Sequence, residues 1–186
     1  MISIPELATA LTGAWRLAQL DRRGAAQFDA TVDGFWKSFT AAAILLPLHF
    51  ILKFMEPEDI AAPLWREVAI IAIAYVITWV AYPLVMAGIT ELIDRRSRYL
   101  GYIVAVNWCS VLQTALFVPF YVAGLYGGAA GQILYLIVFL AMLAFDWFIA
   151  RVMLDIDGLT AAGLVLLSLL LSAFIALLSD GLITGA

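Results

Sequence analysis

The run Asn107-Trp108-Cys109-Ser110-Val111-Leu112-Gln113-Thr114 decides how this chain is read. It lies within an apolar segment, residues 99–124, that exceeds the roughly 20 residues a helix needs to cross a ~30 Å hydrocarbon layer. Wound as a helix at about 100° per residue, Asn107, Ser110, Gln113 and Thr114 share an arc of about 120°, and Tyr121 extends it. Hydrocarbon does not tolerate such a stripe, so it must face protein or water. The segment therefore needs partner helices, and the rest of the chain reads as four more spans around it.

Composition agrees. Of 186 residues, 65% are hydrophobic and 13% charged, whereas a soluble domain is roughly half apolar. The expected fold is all-α: one polytopic membrane domain over residues 1–186. Its spans fall near residues 34–54, 65–90, 99–124, 132–153 and 159–178, so the lipid bilayer is the first expected partner. Residues 1–33 hold no continuous apolar core, so the first span is expected to act as its own insertion signal. The net charge of −4 says less than where the charges sit, and no nucleic-acid partner is expected.

The N-terminal segment predicts an amphipathic helix that starts at Ser3-Ile4-Pro5-Glu6, with proline in the first turn. Leu7, Leu11, Ala14, Trp15 and Ala18 fall on one face and Thr9, Thr12, Arg16 and Gln19 on the other. That pattern suits a helix lying in the headgroup region with Trp15 as anchor; a cytosolic partner is the alternative for the same face. Asp21-Arg22-Arg23-Gly24 ends it, and Asp29 or Thr31 is placed to cap the first span. Lys37 and Lys53 sit near the two ends of that span, where they can snorkel. Glu56-Pro57-Glu58-Asp59 predicts an acidic turn, Leu125-Tyr126-Gly127-Gly128-Ala129-Ala130-Gly131 a glycine-rich one, and Asp157 or Thr160 the start of the fifth span. With five spans, Arg16, Arg22, Arg23, Lys37, Arg95, Arg96, Arg98 and Arg151 fall on one side, and only Lys53 and Arg66 on the other. The positive-inside rule then puts the N-terminus in the cytoplasm and the C-terminus outside.

Asp146 is the costliest residue. It lies about seven residues from the cytoplasmic end of the fourth span, ~10 Å deep at 1.5 Å per residue. Asn107, Tyr82 and Ser168 stand at similar levels in their own spans. One polar cluster of Tyr82, Asn107, Ser110, Gln113, Thr114, Asp146 and Ser168 is therefore expected, with Asp146 bonded to Asn107, Tyr82 or both. Three roles are open to Asp146: a structural staple, a protonatable or solute-binding carboxylate, or a carboxylate that reaches interfacial water. For the stripe of the third span, the choice is between interhelical hydrogen bonds, worth about 0.6 kcal/mol each on average, and the wall of a solute path. Tyr75, Thr78 and Tyr82 share the face of the second span expected to meet that stripe. Pro83 and Pro119 are candidate kinks.

In the fifth span, Ser168, Ser172 and Ala176 form a small-residue row that allows close packing, within the monomer or in a homo-oligomer. Arg151 and Asp155 are spaced to pair. His49 and Cys109 stand alone without metal-ligand spacing, so no metal and no cofactor are expected. There is no phosphate-cradling Gly-Lys motif, no His-Glu metalloprotease pair and no Gly-x-Ser-x-Gly elbow. The sequence therefore points to a non-enzymatic factor acting through helix contacts, as an accessory or scaffold in a larger membrane complex. The alternative is a small-solute transporter or channel using Asn107, Gln113 and Asp146.

The layout, a cytoplasmic N-terminal segment and five closely spaced spans, resembles bacterial members of the Yip1-like group. Phe28-Asp29-Ala30-Thr31-Val32-Asp33-Gly34-Phe35-Trp36-Lys37-Ser38-Phe39 and Val106-Asn107-Trp108-Cys109-Ser110-Val111-Leu112-Gln113 are similar to passages of small proteobacterial membrane proteins. The resemblance implies residence in a bacterial inner membrane. The Asp-Leu-Tyr-Gly-Pro motif of the eukaryotic trafficking members is missing, so trafficking is not implied and no functional residue is carried over.

Overall fold

Local sequence starts each helix. Ser3 accepts from the Glu6 N–H while the Glu6 carboxylate accepts from the Ser3 N–H, a reciprocal cap. It opens α1 (Ile4–Ala18) in the computed structural model, which describes residues 2–56 and 63–184. A 3-10 turn (Arg22–Gln27) follows, then α2 (Val32–Ser38), α3 (Thr40–Met55), α4 (Leu64–Leu92), a second 3-10 turn (Arg96–Arg98), α5 (Tyr99–Tyr126), α6 (Gly128–Leu154) and α7 (Gly158–Thr184). Thr31 caps α2 by accepting from the Gly34 N–H. Asp157 accepts from the N–H groups of Leu159 and Thr160 at the start of α7. The fold is all-α, with five elements long and apolar enough to cross a membrane plus the N-terminal helix. The expected acidic turn lies, beyond Glu56, outside the described residues.

The structure corrects several boundaries. The first span is two helices broken at Phe39, not one. The Ser38 hydroxyl donates to Phe35 O (2.7 Å) and accepts from Asn107 Nδ2 (2.8 Å); a serine bonded back into its own helix competes with the ladder and bends it. The glycine-rich turn is tighter than expected, with Gly127 alone between α5 and α6. α7 runs on through Asp180 to Thr184, and the Asp180 carboxylate stands 3.9 Å from Lys53. Arg151 does not pair with Asp155. A left-handed backbone (φ 54) turns Asp155 off the helical row, where it accepts instead from Arg98 (3.2 Å) and, through its carbonyl, from Arg95. Arg151 lies 4.7 Å over the Trp147 ring.

The five spans form a ring in the order α3, α5, α6, α7, α4. The α5–α6 hairpin is the closest pair and the α3–α4 seam the loosest. Fully buried residues gather at the arginine-bearing end: Met86 and Thr90 on α4, Ile103 to Ala105 on α5, Ile149 and Ala150 on α6, and Ala161 on α7. At the opposite end Tyr126 donates to Met55 O and Arg66 to Leu182 O, but α5 beyond Cys109 buries no residue.

α1 uses its apolar face differently from the expectation. Ala10, Gly13, Ala14 and Leu17 are buried against α5 and the first 3-10 turn, while Trp15 stays half exposed. The helix is thus docked on protein, with Trp15 and Ile4 left facing out. Glu6 ties it down through Lys37 Nζ (2.7 Å).

Two outcomes follow from this packing. A Cβ at Gly131 would collide with the Ala123 carbonyl, so Gly131→Leu should destabilise the hairpin by about 3 kcal/mol, read as a lowered unfolding midpoint in detergent. The Lys37 ammonium, helped by Ser3, holds the Glu6 carboxyl down to about 2 from 4.5. A lowered folded-state value stabilises docking above pH 4.5 and loses that contribution as pH falls toward 2. Amide exchange in α1 should speed up across that window, and Glu6→Gln should remove its share of the pH dependence.

Candidate functional site

Because the ring is packed at one end and loose at the other, it encloses space. A cavity of about 390 Å³ lies inside, and all five spans line it. α3 contributes Leu45, His49 and Leu52; α4 contributes Tyr75, Thr78, Trp79, Tyr82 and Pro83; α5 contributes Tyr102, Val106, Asn107, Ser110, Gln113 and Thr114. α6 contributes Asp146 alone, and α7 contributes Val165, Ser168, Leu171, Ser172 and Ile175. Tyr82, Asn107, Ser110, Gln113, Thr114, Asp146 and Ser168 therefore all meet at one space.

Their pairing differs from the expectation. Asp146 bonds to neither Asn107 nor Tyr82; its Oδ1 accepts from Gln113 Nε2 at 2.7 Å. Asn107 donates instead to Ser38, and the Tyr82 hydroxyl pairs with that of Tyr102 at 2.5 Å. The reason is helix geometry. Asn107 and Gln113 stand at opposite edges of the stripe, about 120° apart, so one edge meets α2 and the other α6. With the chain turning at Gly127, Gln113 lies roughly five residues, ~7 Å, nearer the turn than Asp146. Side chains on a helix lean toward its N-terminus. On two antiparallel neighbours those leans oppose each other and close that offset.

Asp146 Oδ2 has no hydrogen-bond partner among the described residues, and no lysine or arginine lines the cavity. A second cavity of about 330 Å³, between α5, α6 and α7, shares Gln113, Thr114, Asp146, Ser168 and Ser172, so the amide–carboxylate pair stands in the wall between the two. Ser110 and Ser168 donate to carbonyls of their own turns, Asn107 O (2.7 Å) and Val165 O (2.8 Å). This satisfies their hydroxyls locally and leaves them as polar lining.

The main cavity has a closed end and an open one. Toward the arginines, the Tyr82–Tyr102 pair lies over the solid core of Met86, Ile103 and Ile149. In the other direction a smaller cavity, about 110 Å³, shares His49, Tyr75, Thr78, Ser172 and Ile175 with it and adds Lys53, Ser179 and Asp180. Another, about 170 Å³, shares Lys53 and Ile71 with this 110 Å³ cavity and adds Glu56 and Glu67. These cavities share lining residues in steps from Lys53 to Asp146. Lys53 is held by Glu56 (2.8 Å), and Tyr121, which extends the α5 stripe, donates to the same carboxylate.

Sequence reasoning left Tyr102, Trp79 and Ser38 out of the cluster. Tyr102 had a signal: it precedes Gln113 by eleven residues, about 20° around the helix. Trp79 follows Tyr75 by one turn. Ser38 had none, since its role depends on a break in the first span. His49 lies 4.7 Å from the Tyr75 ring. Among the described residues no group of His, Cys, Asp or Glu is arranged to hold a metal ion.

Asn107 is 4% exposed, and its bond to Ser38 is buried. Asn107→Ala should therefore cost about 1–3 kcal/mol by leaving a buried site unsatisfied, seen as a lower unfolding midpoint. The same midpoint should move less in Ser110→Ala, whose bond is local.

Compared with known protein families, with curated proteins and with solved structures, the chain gives no match.

Proposed function

We propose that this protein binds a small solute within its helix ring and acts as a transporter-type carrier, with Asp146 as the central residue of the site. One observation carries this reading: five helices line one cavity around a carboxylate that keeps a free oxygen. The volume is within the ~300–1,000 Å³ of small-molecule sites, and the lining has their mixture of apolar walls and few polar groups. Ionisable groups at membrane depth commonly mark such paths. The reading is non-enzymatic and needs no cofactor.

The competing reading, an accessory factor working through helix contacts, is favoured by the buried Asn107–Ser38 bond, which is a staple. It does not need the open volume beside that staple. The small-residue row of α7 lines the cavity and its passage through Ser168, Ser172 and Ala176, which supports a role inside the monomer over one in a homo-oligomer. By the positive-inside rule, the arginine-bearing end faces the cytoplasm of a bacterial inner membrane and the passage opens to the periplasm. The five-span layout shared with Yip1-like proteins supports membrane residence and adds no site.

Neighbouring positions on α5 provide the test. Cys109 is fully buried and Ser110 lines the cavity. In membranes, Ser110→Cys in a Cys109→Ala background should react with N-ethylmaleimide at least about ten-fold faster than native Cys109, since a thiol buried in apolar surroundings is inert. Equal, slow rates at both positions would mean a dry core and would favour the accessory reading.

A further inference from the structure

We propose that the occupant of the cavity is a small organic cation of the alkylammonium class. This rests on the reading that the cavity holds a solute. Among the described residues, Asp146 is the only Asp, Glu, Lys or Arg in the lining. Its one hydrogen bond among the described residues is to a neutral amide at Oδ1, and Oδ2 has no partner there. A carboxylate at membrane depth needs a counter-charge, or it is strongly disfavoured in its ionised form. No lysine or arginine lines the cavity, and its one imidazole, His49, packs on the Tyr75 ring at 4.7 Å and makes no bond to Asp146, so the counter-charge is left to the ligand. An anion would meet a like charge, and a neutral solute would leave the charge unanswered.

The walls suit the same class. Tyr75, Trp79, Tyr82 and Tyr102 all line the cavity, and aromatic side chains are the surfaces that attract alkylated ammonium groups. Their apolar bodies accept the alkyl substituents, while the Asp146 oxygen answers the charge. Hard divalent cations are less well matched, because they favour several carboxylate and carbonyl ligands and the lining offers one carboxylate beside neutral hydroxyls, amides and rings. The passage has the matching sign. Its lining holds the carboxylates Glu56, Glu67 and Asp180, with Lys53 as the one cation among the described residues there. Lys53 is already engaged by Glu56. A cation moving inward therefore follows an acidic route to an acidic end point.

The test uses the full chain in membranes with the Ser110→Cys, Cys109→Ala reporter. Three probes of one shape are compared: choline, its neutral carbon analogue 3,3-dimethylbutan-1-ol, and the anion 3,3-dimethylbutanoate. Choline should slow N-ethylmaleimide modification by about ten-fold at saturation, and the alcohol and the acid should not. Adding Asp146→Asn should leave modification rapid but abolish protection by choline, and Asp146→Glu should retain part of it. Equal protection by the neutral or anionic probe, protection that survives Asp146→Asn, or no protection by any probe would overturn the cation assignment while leaving the hydrated cavity standing. A reporter that is unreactive before any probe is added would remove the solute reading itself, and the cation assignment with it.

Discussion

A carboxylate in the hydrocarbon layer constrains everything packed around it. Asp146 cannot face lipid at tolerable cost, so α6 must turn that face inward, and the helices opposite must offer something polar. Gln113 does so from α5, the neighbouring helix of the hairpin. The pair is close because α5 and α6 are close, and these are close because Gly127 and Gly131 bring no side chain between them. The polar contact and the tight turn are two parts of one arrangement. Neither would place the carboxylate beside the cavity without the other.

The ring then divides into two kinds of packing. At the arginine-bearing end, Met86, Ile103, Ile149, Leu154 and the docked face of α1 fill the space between helices. The Tyr82–Tyr102 pair marks the boundary of that solid region. Beyond it the helices separate, and polar side chains line empty volume instead of closing on each other. A staple needs only the first kind of packing. The second kind removes dispersion contacts and costs stability, which gives the hollow half its functional interest. The loose α3–α4 seam lies beside that hollow, with Leu45, His49 and Leu52 of α3 and Tyr75 and Thr78 of α4 in its lining. The first span is held mainly from α5, through the Asn107–Ser38 bond and Tyr126 donating to Met55 O, while Tyr75 donating to Ala42 O ties it across the loose seam to α4.

Much of this was legible before any coordinates. The number of spans followed from apolar runs and from the one-sided distribution of Arg95, Arg96, Arg98 and their companions. The meeting of Asn107, Asp146, Tyr82 and Ser168 followed from depth along each helix, and that of Gln113 from the α5 stripe and the rule that polar groups turn inward. Partner choice did not follow. Asn107 and Asp146 are level, yet they point to different neighbours, because depth and direction are separate coordinates and sequence spacing constrains only the first between helices. Ser38 was out of reach for a related reason, since it became a partner only when the first span broke beside it. The apolar face of α1 was visible, but what it covers was not: a bilayer surface and the flank of α5 ask for the same residues.

The sequence by itself determined the class, the five spans, the helix start at Ser3, the cap choices Asp29 or Thr31 and Asp157 or Thr160, and the set of polar residues that had to be hidden from lipid. Those are local or one-dimensional matters, set by hydropathy, helical period and the chemistry of helix ends. Only the tertiary structure decided that the hidden residues surround a space, that Asp146 pairs with Gln113 and keeps one oxygen free, and that the space opens at the Lys53 end. The physical reason is that a cavity is a shortfall in packing between helices. It depends on their rotations and separations, which no single helix encodes.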